Sequence, residues 1–104
     1  MDDIAPDLLV DAYIYPTSVS GRVRPVPNGY PCPCRPDRDV PVFADCRFLL
    51  DGKPLQPGER RRVELAVLGG KSYADWLRGF GKFYFWELGI FGEAIVVSEA
   101  KSDG

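Results

Sequence analysis

The chain has 104 residues, enough for one domain and one core, and its 45% apolar and 27% charged residues exclude wholesale disorder. Thirteen basic against fifteen acidic residues leave a net charge of −2, which argues against a general nucleic-acid binder that works by neutralising phosphates. The sequence contains no histidine, so the commonest general base is excluded, along with every serine–histidine or cysteine–histidine nucleophile pair.

The N-terminus is acidic through Asp2, Asp3, Asp7 and Asp11. It has neither the basic start nor the apolar run of a signal peptide, and no apolar segment approaches the ~20 residues that a membrane helix needs. A soluble, cytoplasmic protein with no membrane association is the expectation. Ten prolines and eleven glycines punctuate the chain, which suits short strands joined by turns and not helices.

Residues 8–15 form the first strand pattern, with Val10, Ala12 and Ile14 on one face and Leu9, Asp11, Tyr13 and Tyr15 on the other. In 21–35 the prolines at 25, 27, 31 and 33 remove main-chain donors at alternate positions, so this segment reads as a long ordered loop leading into a short edge strand. Asn28-Gly29 is a turn within it. Residues 40–50 alternate most regularly: Val40, Val42, Ala44, Cys46, Phe48 and Leu50 point one way, and Asp51-Gly52 closes the strand with a hairpin dipeptide.

Residues 60–68 alternate again, with Val63, Leu65 and Val67 inward and Arg62 and Glu64 outward. Residues 72–78 are the one helical piece, a single short turn capped by Ser72 that buries Tyr73, Trp76 and Leu77. Residues 82–88 and 90–98 make a closing pair of strands joined near Leu88-Gly89. Five or six short strands with Pro/Gly turns read as an antiparallel barrel or sandwich. The chain reads as a single domain over 1–104, with a core over about 8–98 and a loose tail at 99–104.

Three cysteines do not make a disulfide framework. Cys32-Pro33-Cys34 without a histidine is a poor zinc site, so free thiols, no metal and no cofactor are expected. Asp37 and Asp39 are the nearest thing to a carboxylate pair, but in an arginine-rich loop they read as ion-pairing groups and no catalytic residue is assigned.

Two sets of residues are candidates for binding. Arg22, Arg24 and Arg35 flank Tyr30, a combination able to stack a base and hold phosphates. The plainer reading gives Arg22 to loop carbonyls and Tyr30 to plugging a barrel end. Arg60, Arg61 and Arg62 start a strand, so they alternate sides and form no single patch. In the closing pair Phe83 and Phe85 turn inward, while Tyr84, Trp86 and the nearby Phe91 face out as a protein-contact group unless the helical piece covers them.

The order of these elements resembles a known family. The run from Asp11 to Tyr15, then Ser20-Gly21-Arg22, then Asn28-Gly29-Tyr30-Pro31, resembles the opening of the third domain of elongation factor Tu. Gln56-Pro57-Gly58-Glu59 resembles that domain's proline–glycine turn, and the run from Phe83 to Gly89, through Phe91-Gly92 to Val96-Val97, its closing hairpin, one residue shorter. The likeness covers about 8–98 and implies a small six-stranded antiparallel β-barrel. In that family the barrel packs on a GTPase domain and touches the T-stem of aminoacyl-tRNA.

Only Gly21, Arg22, Gly29 and Tyr30 match the loops that would carry such contacts. Ser20 stands for the family's first loop glycine, Pro31 directly follows Tyr30, the threonine-rich strand has become Val40-Pro41-Val42-Phe43, and Trp86 and Ile90 replace arginines. No phosphate-binding glycine-rich loop is present, so no nucleotide is expected. The expectation is a non-enzymatic binding module that takes a protein partner through Tyr84, Trp86 and Phe91, or else RNA through Arg22, Arg24, Tyr30 and Arg35.

Overall fold

Two-residue alternation gives each strand one apolar face, and six such faces close around a common core. The computed structural model describes residues 6–39 and 42–97. Asp2, Asp3, Val40, Pro41, Ser98 and the tail 99–104 lie outside the described residues. The strands are β1 (Leu8–Ile14), β2 (Pro31–Arg35), β3 (Ala44–Leu49), β4 (Arg60–Val67), β5 (Lys82–Trp86) and β6 (Ile90–Val96). They form a closed barrel in the order β1-β4-β3-β2-β5-β6, and every neighbouring pair is antiparallel.

The barrel interior is filled by Phe48, Phe83 and Phe85, all fully buried. Small residues on β1 and β6 leave room for them: Ala12 pairs with Ala94, and Gly92 pairs with the larger Ile14. The ring of Phe85 tilts against Phe48 at 4.8 Å and meets Phe83 edge-on at 6.1 Å. Alternating large and small residues in this way fills the interior of a narrow barrel.

β2 is not an edge strand, because β3 and β5 both pair with it. The prolines are tolerated because of their parity. The carbonyl of Tyr30 accepts from the Phe48 N–H at 3.2 Å, so Cys32 and Cys34 also turn their main-chain groups toward β3, while Pro31 and Pro33 turn theirs toward β5. The ladder to β5 accordingly runs only through Cys34–Phe85 and Arg35–Tyr84. Gly29, at φ 81°, donates its N–H to the Phe48 carbonyl at 2.7 Å and forms the bulge that starts the strand.

Asp51 and Gly52 both adopt positive φ, and the Lys53 N–H closes the turn on the Leu50 carbonyl at 3.1 Å, as their sequence led us to expect. The chain then detours before β4: Leu55 bridges to Val26, and both are fully buried under one end of the barrel.

Two helices differ from expectation. α1 (Thr17–Ser20) is a single turn with no sequence signal of its own, ended by Gly21 in the left-handed conformation. α2 (Lys71–Phe80) is ten residues long, not one turn. Its N-cap is Gly70 and makes no side-chain bond, so Ser72 lies inside the first turn and does not cap. α2 links β4 to β5 across the barrel end opposite α1. It buries Ala74 and Leu77, leaves Trp76 half-buried and leaves Tyr73 exposed.

Candidate functional site

The residues nominated from sequence fall into two separate places. At the barrel end near α1, the Thr17 hydroxyl donates to the Arg22 carbonyl and the Arg22 N–H donates to the Ser20 hydroxyl. This fixes the arginine. Its Nε donates to the Arg24 carbonyl at 3.0 Å and its Nη1 pairs with Glu87 at 2.9 Å. The guanidinium lies over the rings of Phe91 (4.7 Å) and Tyr30 (5.1 Å), and the Tyr30 hydroxyl also donates to Glu87.

Those bonds set the local titration. The Tyr30 hydroxyl, helped by Arg22, holds the Glu87 carboxyl below its usual range. Burial and then the Glu87 contact push the Tyr30 phenol up. Arg22, Tyr30 and Glu87 thus bond one another at the barrel end, with the half-buried Tyr30 packed against the core.

Phe91 does not join an outward aromatic group, because it is buried at 3% exposure. The β5–β6 register slips between Phe85 and Trp86, where Phe85 faces Gly92 but Trp86 faces Ile90. Phe91 is the extra residue of that bulge, which turns it inward to stack on Phe85 at 6.0 Å. A one-residue insertion reverses strand parity, and nothing in the local sequence marks it.

Tyr84 and Trp86 do face outward, as expected, but cations cover their rings. Arg38 lies over Tyr84 at 5.3 Å with Lys82 at 5.5 Å, and Arg35 lies over Trp86 at 5.5 Å. They belong to a continuous outer row in which Arg60, Tyr13, Glu93, Tyr84 and Arg35 are successive register partners on β4, β1, β6, β5 and β2. Arg60 covers Tyr13 at 4.3 Å. Arg35 therefore joins this wall and not the Arg22–Tyr30 cluster. Arg61 turns away to Glu59 and the Lys53 and Pro54 carbonyls, which splits the arginine triplet as its alternation requires.

A concave apolar surface lies elsewhere, between α2 and the β2–β3 connection. Val42, Phe43, Tyr73 and Trp76 line a groove of about 390 Å³ together with Ser72. A second groove of about 260 Å³ continues from it along Val42, Trp76, Phe80 and Pro36, with Asp37 the one charged side chain among the described residues of either lining. Val42, Phe43, Tyr73 and Phe80 are each 48–54% exposed. Local packing builds this surface: the Tyr73 ring lies so close over Gly69 that a Cβ there would meet it at 2.3 Å, and Trp76 meets Phe80 edge-on at 5.4 Å.

Sequence reasoning did not find the groove, because alternation counted Val42 with the inward residues, whereas β3 begins only at Ala44 and Val42 is half exposed. The available signal was Pro41, which cannot donate to a ladder.

The three cysteines are reduced and buried side by side on β2 and β3, with Cys32 opposite Cys46. Among the described residues no group of three or more His, Cys, Asp or Glu side chains is arranged to hold a metal ion, and no helix is long and apolar enough to cross a membrane. No family model matches the chain, and no curated protein matches it.

Proposed function

We propose that this barrel is a non-catalytic protein-binding module that seats a short apolar segment of its partner in the groove between α2 and the β2–β3 connection. The observation that carries this reading is the half-exposed set Val42, Phe43, Tyr73 and Phe80 around a continuous concave apolar surface. Monomeric proteins rarely leave such patches open, and aromatic side chains gathered in a recess are the composition of interaction hot spots. The groove is favoured over the last hairpin because Phe91 is buried and the rings of Tyr84 and Trp86 already carry cations.

Kinship with the third domain of elongation factor Tu is part of the proposal. It is supported by the order of short motifs along 8–98 and by the six-stranded antiparallel closure. A cytoplasmic location is supported by three buried thiols left unpaired by any disulfide. The absence of histidine from the sequence supports a binding role over a catalytic one.

The test is affinity capture from the native cell extract with three baits: the natural chain, Phe43→Asp, and Trp86→Ala. The expected result is a protein retained by the natural chain and by Trp86→Ala but retained less by Phe43→Asp. Equal retention by all three would overturn the groove reading, and loss with Trp86→Ala alone would move the docking face back to the hairpin wall.

A further inference from the structure

Leu88 breaks two rules of sequence economy at once. It is 96% exposed, the most exposed large apolar side chain among the described residues, and it sits at φ 55°, a conformation that ordinarily falls to glycine or asparagine. Violations of this kind that persist in a folded protein concentrate at functional sites. The tip is also held rigid. The Glu87 N–H donates to the Gly89 carbonyl at 2.8 Å, and the Glu87 side chain is clamped by Arg22 and Tyr30. The result is a fixed apolar knob at the α1 end of the barrel, with Val19 and Val23 exposed on the neighbouring segment.

The α2 groove lies at the opposite end, so knob and groove cannot meet within one molecule. The charges left over at the two ends are complementary. Arg22 and Glu87 neutralise each other, which leaves Arg24 without an ion-pair partner among the described residues. At the groove Asp37 is the one charged lining residue among the described residues, and its carboxylate accepts from the Asp39 main-chain N–H.

We infer that the groove's occupant is a second copy of this chain, which inserts Leu88 between Tyr73, Phe43 and Val42 and brings Arg24 toward Asp37. The inference rests on the groove being a docking site, as proposed above. The contact is heterologous, knob to groove, so each bound pair leaves one free knob and one free groove, and assembly continues head to tail. A single hairpin tip covers far less than the roughly 1,200–2,000 Å² of a stable interface, so the association is weak and depends on concentration. Rigidity of the tip offsets part of the ordering cost of binding.

Sedimentation velocity over about 10 μM to about 1 mM reads this directly, since contacts of such small area fall in that affinity range. The mass of the natural chain should climb with concentration. Leu88→Asn, which accepts the left-handed conformation, should stay monomeric with its melting temperature unchanged or raised. Phe43→Asp should also stay monomeric. An equimolar mixture of the two variants should form a 1:1 dimer and grow no further, because only one knob and one groove remain between them. A natural chain that is monomeric throughout, a Leu88→Asn chain that still associates, or a mixture that stays monomeric would each overturn the inference. If self-association fails while Phe43→Asp still abolishes capture of another protein, only the second-copy identity falls; if both fail, the groove reading falls with it.

Discussion

Gly92 packs directly beneath Tyr13: a Cβ built on Gly92 would lie 2.6 Å from the Tyr13 carbonyl oxygen and 3.1 Å from the Phe85 ring. The first of these atoms is main chain in the β1–β6 ladder and cannot swing aside. Gly92→Ala must therefore push β1 and β6 apart or displace Phe85 from the core. The expected cost is about 2–3 kcal/mol, in the range of core overpacking. Urea unfolding measures it, and Gly79→Ala, where the added methyl meets nothing within 4 Å, serves as the control.

Tyr15 reports on the outer wall. Its hydroxyl donates to Glu93 at 2.9 Å. Partial burial first, and then the bond to the Glu93 carboxylate, push its phenol up to about 12. Because the folded value lies above the unfolded one, this contribution to stability is fully present below about pH 10 and is lost as the pH climbs toward 12. In an ultraviolet titration of the five tyrosines, Tyr30 and then Tyr15, the more strongly shifted, should ionise after the exposed ones. Glu93→Gln should move that last step to lower pH; an unchanged step would detach Tyr15 from Glu93.

The Arg22 cluster closes the other end of the barrel, and its removal should be felt as a loss of stability. Arg22→Ala removes two ring contacts, the bond to the Arg24 carbonyl and the pair with Glu87, at an expected cost of about 1–2 kcal/mol. The carboxyl of Glu87 titrates below its ordinary 4.5, so its contribution is present above that pH and is lost as the pH falls through the lower folded value. Glu87 is nearly half exposed, and solvent screening keeps its share under about 1 kcal/mol. Stability measured between pH 6 and pH 3 should fall less steeply for Glu87→Gln than for the natural chain.

The barrel was legible because most of its strands obey simple alternation. Val10, Ala12 and Ile14, or Val63, Leu65 and Val67, are buried as their spacing requires. What escaped were departures from parity that only partner strands reveal. Pro31 and Pro33 suggested an edge, yet their missing donors fall toward the one neighbour whose ladder is short. Phe91 turns inward at a bulge defined by β5, across the hairpin. α2 runs beyond the single turn expected over 72–78, because burial of Ala74 and Leu77 on the barrel end holds ten residues in helix. The groove escaped for the same reason: Val42 fits the alternation of β3 but precedes its first paired residue.

The thiols give a further check on the core. Cys32, Cys34 and Cys46 are each no more than 1% exposed. Burial first, and then the neighbouring Cys32 and Cys46, push the Cys34 thiol up, away from the reactive thiolate. An aromatic disulfide reagent at neutral pH should find no fast-reacting thiol in the native protein and three after denaturation. A fast native thiol would mean that the β2–β5 seam opens at its prolines.

The docking face itself is tested most directly by photo-crosslinking from the groove. A benzophenone amino acid in place of Tyr73 sits at the groove wall, while the same group in place of Arg47 sits on the exposed outer face of β3. On irradiation in the native cell extract, the expected result is a discrete protein adduct from position 73 and none from position 47. Adducts of equal yield from both positions, or none from position 73, would contradict a binding role for the groove.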